Sequence, residues 1–232
     1  HPVDALFETV SGFTTTGASI LSDVESLSHC ILLWRSFTHW IGGMGVLVFI
    51  LCLLPLTGGY HMNLMKAESP GPSVSKLVPK VQSTAKILYT IYILMTVVEM
   101  VFLLLGGMPL FDTLCLSFGT AGTGGFGIKN DSIASYSTYN QIVITVFMIL
   151  FGVNFNAYYL LLSKKVMQAA KNEEVRYYLG IIGLAIVAIA VNTRDMFTSF
   201  GRAFQQAAFQ VGSIITTTGY ATTDFNVWPV FS

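Results

Sequence analysis

Ser11-Gly-Phe-Thr-Thr-Thr-Gly-Ala18 recurs near the end of the chain as Ser213-Ile-Ile-Thr-Thr-Thr-Gly-Tyr220, and a looser relative, Gly119-Thr-Ala-Gly-Thr-Gly-Gly-Phe126, lies between them. The outer two also share Phe ten residues before the glycine (Phe7, Phe209) and Ser six before it (Ser11, Ser213), which marks an internal repeat. Glycine lets a backbone turn its carbonyl oxygens toward one axis, and threonine adds a hydroxyl oxygen; a cation filter needs both. Short apolar runs, 109–119 and 197–212, lead into the second and third stretches. At about 1.5 Å of rise per residue they cannot cross about 30 Å of hydrocarbon as helices, so they read as re-entrant half-helices. Non-helical backbone at that depth is tolerated only where it is buried in protein or lines a wet path.

The surrounding composition is that of a membrane protein, with 53% hydrophobic and 10% charged residues. Four stretches have spanning length and polarity: 31–56, 84–105, 139–162 and a shorter 175–191. The expected fold is therefore an all-α integral membrane protein built from helix, pore half-helix with filter loop, and helix, as in potassium channels. The chain divides accordingly: 1–56 holds the pore loop and second helix of repeat 1, and 57–83 is a cytoplasmic linker. Residues 84–162 form repeat 2, 163–174 a second cytoplasmic linker, and 175–232 the first helix and pore loop of repeat 3. The chain opens at His1-Pro2 and closes on the third filter-like stretch, so it reads as an excerpt of a longer protein.

Charge placement sets the orientation. The linkers carry Lys66, Lys76, Lys80, Lys86, Lys164, Lys165, Lys171 and Arg176 against Glu68, Glu173 and Glu174, which places them in the cytoplasm by the positive-inside rule. The opposite side collects Asp4, Glu8, Asp23, Glu25, Asp112, Asp131, Asp195 and Asp224 against Arg35, Lys129, Arg194 and Arg202, an acidic excess that concentrates cations at an entrance. Half-helices entering from outside would point their negative dipole ends at the ion path. The carbonyls of Thr15, Thr16 and Gly17, of Thr123, Gly124 and Gly125, and of Thr217, Thr218 and Gly219 would then replace an ion's hydration shell. In the second stretch Gly17 matches Gly125 by ungapped count from Asp4 and Asp112, or Gly124 if Thr16 is matched to Thr123; both registers stay open.

The remaining polar residues carry weaker signals. Gly42, Gly43 and Gly45 read as sites of close helix packing rather than a hinge. Asn154 and Asn156, inside a span, either line a cavity or face the bundle. Glu99 is the acidic residue deepest in a span and is either functional or structurally partnered. His39, beside Trp40, reads as a structural histidine near the outer interface. Cys30, Cys52 and Cys115 show neither disulfide nor metal-ligand spacing and read as packing residues. No Gly-x-Ser-x-Gly, His-Glu-x-x-His or intramembrane Asp pair appears, so an intramembrane hydrolase is disfavoured. A net charge of zero gives no reason to expect nucleic acid.

Several motifs together resemble the TrkH/KtrB superfamily of potassium transporters, and its TrkH branch in particular. They are 4–19, Leu33-Trp-Arg-Ser-Phe37 with Trp40-Ile-Gly-Gly-Met-Gly45, Ala67-Glu-Ser-Pro-Gly-Pro72, 117–127 and Gly152-Val-Asn-Phe155. The resemblance implies four such units arranged pseudo-fourfold around one pore, incomplete here, in a cell membrane. It implies uptake of potassium through the filter carbonyls, with the ion as substrate and no covalent cofactor. It further implies a homodimer and a cytosolic nucleotide-binding regulatory subunit of the TrkA type. Two other readings remain: a less selective transporter of potassium and sodium, and a non-conducting helical scaffold in membrane lipid.

Overall fold

The computed structural model describes residues 2–45, 81–162 and 165–229. Most of the linker at 57–83, the far part of the first expected span, and the motif at 67–72 lie outside the described residues. Every longer element among those described is helical. α1 (Pro2–Phe13) leads into the first filter-like stretch and α2 (His29–Gly43) follows it. α3 (Val81–Leu105), α4 (Leu110–Ala121), the second stretch and α5 (Thr138–Phe151) repeat that order with a helix added in front. After α6 (Phe155–Leu162) and α7 (Val166–Ala170), α8 (Glu173–Asn192) and α9 (Phe200–Ile215) lead to the third stretch.

α3 and α8 are each long and apolar enough to cross a membrane. Their outward faces carry Leu94, Val98, Val101 and Leu105, and Ile181, Leu184, Val187 and Val191, all exposed as lipid-facing residues should be. α1, α4 and α9 run 12, 12 and 16 residues, which at about 1.5 Å per residue leaves them short of the bilayer. Two of them start where the sequence allows: Pro109 precedes α4, and the Ser199 hydroxyl caps α9 by accepting the Arg202 N–H. α9 runs three residues past the expected end at Gly212, to Ile215. α3 begins at Val81, three residues before the expected 84.

The expected continuous span 139–162 is corrected. It breaks into α5 and α6, bent by 89°. Gly152 closes α5, and Asn154 opens α6 by accepting the Asn156 N–H at 2.9 Å. The carbonyls released at the end of α5 do not go unpaired: the Tyr158 hydroxyl donates to Leu150 O at 2.6 Å and the Tyr178 hydroxyl to Ile149 O at 3.0 Å. Such capping makes a break affordable at membrane depth. α2 stops in the same way, at Gly43, where the expected span ran on; Gly45 follows in the left-handed region at φ 81°. The glycines of α2 do serve close packing. A Cβ on Gly42 would strike the Phe13 carbonyl oxygen, and one on Gly43 would lie 2.5 Å from the Gly122 Cα. Of the described cysteines, Cys115 is buried while Cys30 is exposed and so is not a packing residue.

Candidate functional site

The three stretches share one backbone design. Each half-helix ends in a turn whose second residue beyond the helix donates to a carbonyl three back and whose third donates to one five back. These pairs are Thr15 to Gly12 and Thr16 to Ser11, Thr123 to Thr120 and Gly124 to Gly119, and Thr217 to Ile214 and Thr218 to Ser213. Such an ending requires a left-handed residue, ordinarily glycine. Here threonine occupies it every time, at φ 54°, 49° and 58° for Thr15, Thr123 and Thr217. Two residues on, glycine is again left-handed: Gly17 at 71°, Gly125 at 78° and Gly219 at 84°. This settles the structural register of the second stretch: Gly125, not Gly124, is the counterpart of Gly17. Alternation of positive and negative φ turns successive carbonyls toward one side, unlike a β-strand, whose two sides alternate.

Side chains brace the first and third stretches identically. Ser11 Oγ donates to Ala18 O and Ser213 Oγ to Tyr220 O, both at 2.6 Å, so the serine six before each glycine ties the outer end of the strand to its own half-helix. The Thr14 and Thr216 hydroxyls bond back to Val10 O and Gly212 O at 2.7 Å and also meet those of Thr16 and Thr218 at 2.8 and 2.7 Å. The second stretch has glycine at all three matching positions, 119, 122 and 124, and lacks these braces. It is held by packing instead. A Cβ on Gly122 would strike the His39 carbonyl oxygen and one on Gly124 would strike the His39 ring. His39, read as a structural histidine, is fully buried behind this strand and stacks on Phe126 with ring centroids 4.0 Å apart.

Neighbouring strands meet in a constant cyclic sense. A Cβ on Gly17 would land on the Gly124 carbonyl oxygen, and one on Gly125 on the Thr218 carbonyl oxygen. Gly43 at the end of α2 abuts Gly122 of the second stretch, and Gly152 at the end of α5 abuts Thr216 of the third. Phe126 reaches back to pore helix α1 at Gly12, and Tyr220 to pore helix α4 at Gly119. The three strands thus occupy successive stations around one axis. Where the series would continue, Gly219 has open space.

On one side of the strands lies a cavity of about 480 Å³ whose lining includes Thr15, Thr123, Thr217, Gly152, Asn154 and Glu174. Asn154 thus lines a cavity, and its amide donates to Glu174 at 3.0 Å, joining the break after α5 to the first turn of α8. At the other side the loops interlock: the Asn130 amide donates to Asp23 at 2.8 Å and its carbonyl accepts the Val24 N–H at 2.9 Å. That hydrogen bond holds the Asp23 carboxyl below the usual carboxylate range, so it stays charged. Glu8, read from sequence as one of the entrance acids, is instead paired with Arg35 at 3.1 Å with both side chains largely buried.

Among the described residues, no group of three or more His, Cys, Asp or Glu side chains is arranged to hold a metal ion. Of the nine residues expected to contact ions, all lie in these three strands. The supporting roles of Arg35, of Glu8 and of His39 behind the second strand are visible only in their long-range contacts.

A family model described as "Cation transport protein", TrkH, matches residues 2–231. The chain is 37% identical over 234 residues to the Trk system potassium uptake protein TrkH of Salmonella typhimurium, covering 98% of this chain and 48% of that protein. It is 36% identical over 236 residues to the Trk system potassium uptake protein TrkG of Escherichia coli, with the same coverage. The crystal structure of the potassium transporter TrkH from Vibrio parahaemolyticus superposes with a TM-score of 0.81 at 32% identity, over 100% of this chain and 47% of that one. The chain spans about half the length of the curated relatives it matches.

Proposed function

Because the chain belongs to the TrkH family of cation transport proteins, we propose that it supplies three of the strands of a filter through which potassium enters the cell. The observation that carries this reading is the cyclic arrangement of three strands, each with threonine and then glycine held left-handed over a common cavity. Thr15, Thr16, Gly17, Thr123, Gly124, Gly125, Thr217, Thr218 and Gly219 are the proposed ion contacts, through carbonyl and hydroxyl oxygens that stand in for water. Passage needs no covalent chemistry. The cavity gives the ion a hydrated station after the filter, and Glu174, a charged residue in its lining, favours a cation there.

The division into repeats at 1–56, 84–162 and 175–232 belongs to the same proposal, with the basic linkers cytoplasmic and a fourth strand supplied by the remainder of the protein. The relatives are named for a Trk system, which supports a multi-component assembly. We infer a homodimer in the cell membrane, docked on a cytosolic nucleotide-binding subunit of the TrkA type. The full-length protein in liposomes loaded with potassium should take up rubidium tracer and exclude sodium. Sodium uptake at an equal rate would favour the less selective reading, and no uptake of either ion would favour the scaffold.

The left-handed threonines add a prediction. A β-branched residue in this region costs roughly 1–2 kcal/mol, and three such residues at equivalent positions point to retention for the side-chain oxygen. Thr217→Gly in the full-length protein is therefore expected to raise thermal stability by about 1 kcal/mol while lowering potassium throughput. A lower melting temperature would mean that the threonine is not strained in its setting.

A further inference from the structure

Glu99 sits on α3 within the spanning segment Ala85–Leu105, and it is 0% exposed. Neither carboxyl oxygen has a hydrogen-bond partner among the described residues. A carboxyl group at that depth is costly, and such groups in spans face a bundle interior or a functional path. α3 carries polar side chains at 92, 96 and 99, a spacing that puts them on one face. The first two have visible tasks. The Tyr92 hydroxyl donates to Trp40 O at 2.8 Å, and the Trp40 indole N–H donates to Thr96 Oγ1 at 3.2 Å, which fixes α3 against α2.

Glu99, on the same face, lies beside Thr120, which in turn lies beside Tyr220. These two residues hold opposite ends of adjacent strands. The Thr120 carbonyl accepts the Thr123 N–H at 3.0 Å and so makes the turn that starts the second strand. Tyr220 directly follows Gly219, and its carbonyl accepts the Ser213 hydroxyl that closes the third strand. The Thr120 hydroxyl is committed to Leu116 O at 2.9 Å. The Tyr220 hydroxyl is not well committed: its contacts to Leu116 O and Phe126 O are 3.4 and 3.5 Å, long for an O–H donor. Thr120 thus lies between the two, with the buried Glu99 carboxyl on one side and the loosely held Tyr220 hydroxyl on the other.

We propose that Glu99 is a positioning residue for the filter: its carboxyl group joins the start of the second strand, at Thr120, to the outer end of the third, at Tyr220, and so sets the carbonyl spacing that selects among monovalent cations. This rests on reading the strands as a cation filter. The second strand has the greater need of such support, since glycine replaces all three of the bracing side chains found in the first and third.

The test uses the full-length protein in liposomes, with rubidium uptake and its discrimination against sodium measured for Glu99→Leu, Glu99→Gln and Tyr220→Phe, alongside melting temperature. Glu99→Leu should lower discrimination at least about fivefold. Glu99→Gln, which keeps a hydrogen-bonding side chain, should restore most of it. Tyr220→Phe should shift discrimination in the same direction, and the Glu99→Leu/Tyr220→Phe pair should be no worse than the worse single variant. Wild-type discrimination in Glu99→Leu, with only stability or amount of protein changed, overturns the proposal. Should Glu99→Leu not fold, Tyr220→Phe decides, and unchanged discrimination there overturns it equally. A wild-type protein that moves neither ion removes the filter reading and this inference with it, whereas normal wild-type uptake with unselective effects in the variants removes this inference alone.

Discussion

Serine at position 125 is expected to abolish selective cation uptake while leaving the protein folded in the membrane. Gly125 sits at φ 78°, where any side chain costs roughly 1–2 kcal/mol in the backbone alone. That cost would be survivable. The larger effect comes from the neighbour, because the new Cβ falls on the Thr218 carbonyl oxygen, the backbone of the next strand rather than the tip of a movable side chain. The third strand must shift, and its carbonyls shift with it. Gly17→Ser should behave alike, displacing the Gly124 carbonyl. Gly107 is the internal control. It is left-handed at φ 77° but has open space around the position of a Cβ, so Gly107→Ala should cost about 1 kcal/mol of stability and leave transport intact. Rubidium uptake should fall at least about tenfold in Gly125→Ser, equivalent to about 1.4 kcal/mol or more in the passage of the ion. Normal uptake and normal exclusion of sodium in that variant would take the second strand out of the path.

The strands are legible in sequence because Thr-Thr-Thr-Gly, Ser11 and Ser213, and Phe7 and Phe209 recur at fixed spacing, and because the runs before them are too short to span. The second strand is ambiguous in sequence for a physical reason. In Gly122-Thr-Gly-Gly125 several glycines offer the same conformational freedom, and only the left-handed angles at Thr123 and Gly125 show which steps are used. The break between α5 and α6 was also hidden. Residues 139–162 are mostly apolar and carry no charge, so hydropathy reads one span, although Gly152 and Asn154 are a helix stop and a helix start in sequence terms. Two tyrosines complete the break, and Tyr178 lies 29 residues beyond the carbonyl it caps. Contacts at that separation leave no local periodicity to read. The same limit accounts for His39, whose place behind the second strand depends on Phe126 and Gly124, far along the chain.

Glu8 and Arg35 illustrate the limit with the largest energetic consequence. As an exposed entrance acid Glu8 would contribute only a screened field, and its loss would hardly alter stability. In the structure it accepts from Arg35 Nε at 3.1 Å, from the Ser19 hydroxyl at 2.8 Å and from the Ile20 N–H at 2.9 Å. Arg35 in turn reaches Ser19 at 3.2 Å and lies 4.1 Å over the Phe126 ring. The pair therefore fastens the outer end of the first strand to α2 and to the residue after Gly125. With side-chain exposures of 6% and 12%, removing one partner strands a charge away from water, which costs about 3–5 kcal/mol. Arg35→Leu and Glu8→Leu should each lower the melting temperature sharply. The double variant Glu8→Gln/Arg35→Leu should lose less than Arg35→Leu alone, because glutamine still accepts from Ile20 and carries no charge that needs a partner. A double-mutant cycle through Glu8→Gln should return a coupling of about 1–3 kcal/mol. Arg35→Leu within about 0.5 kcal/mol of wild type would mean that water reaches the pair, and Glu8 would then return to the entrance as one more steering charge.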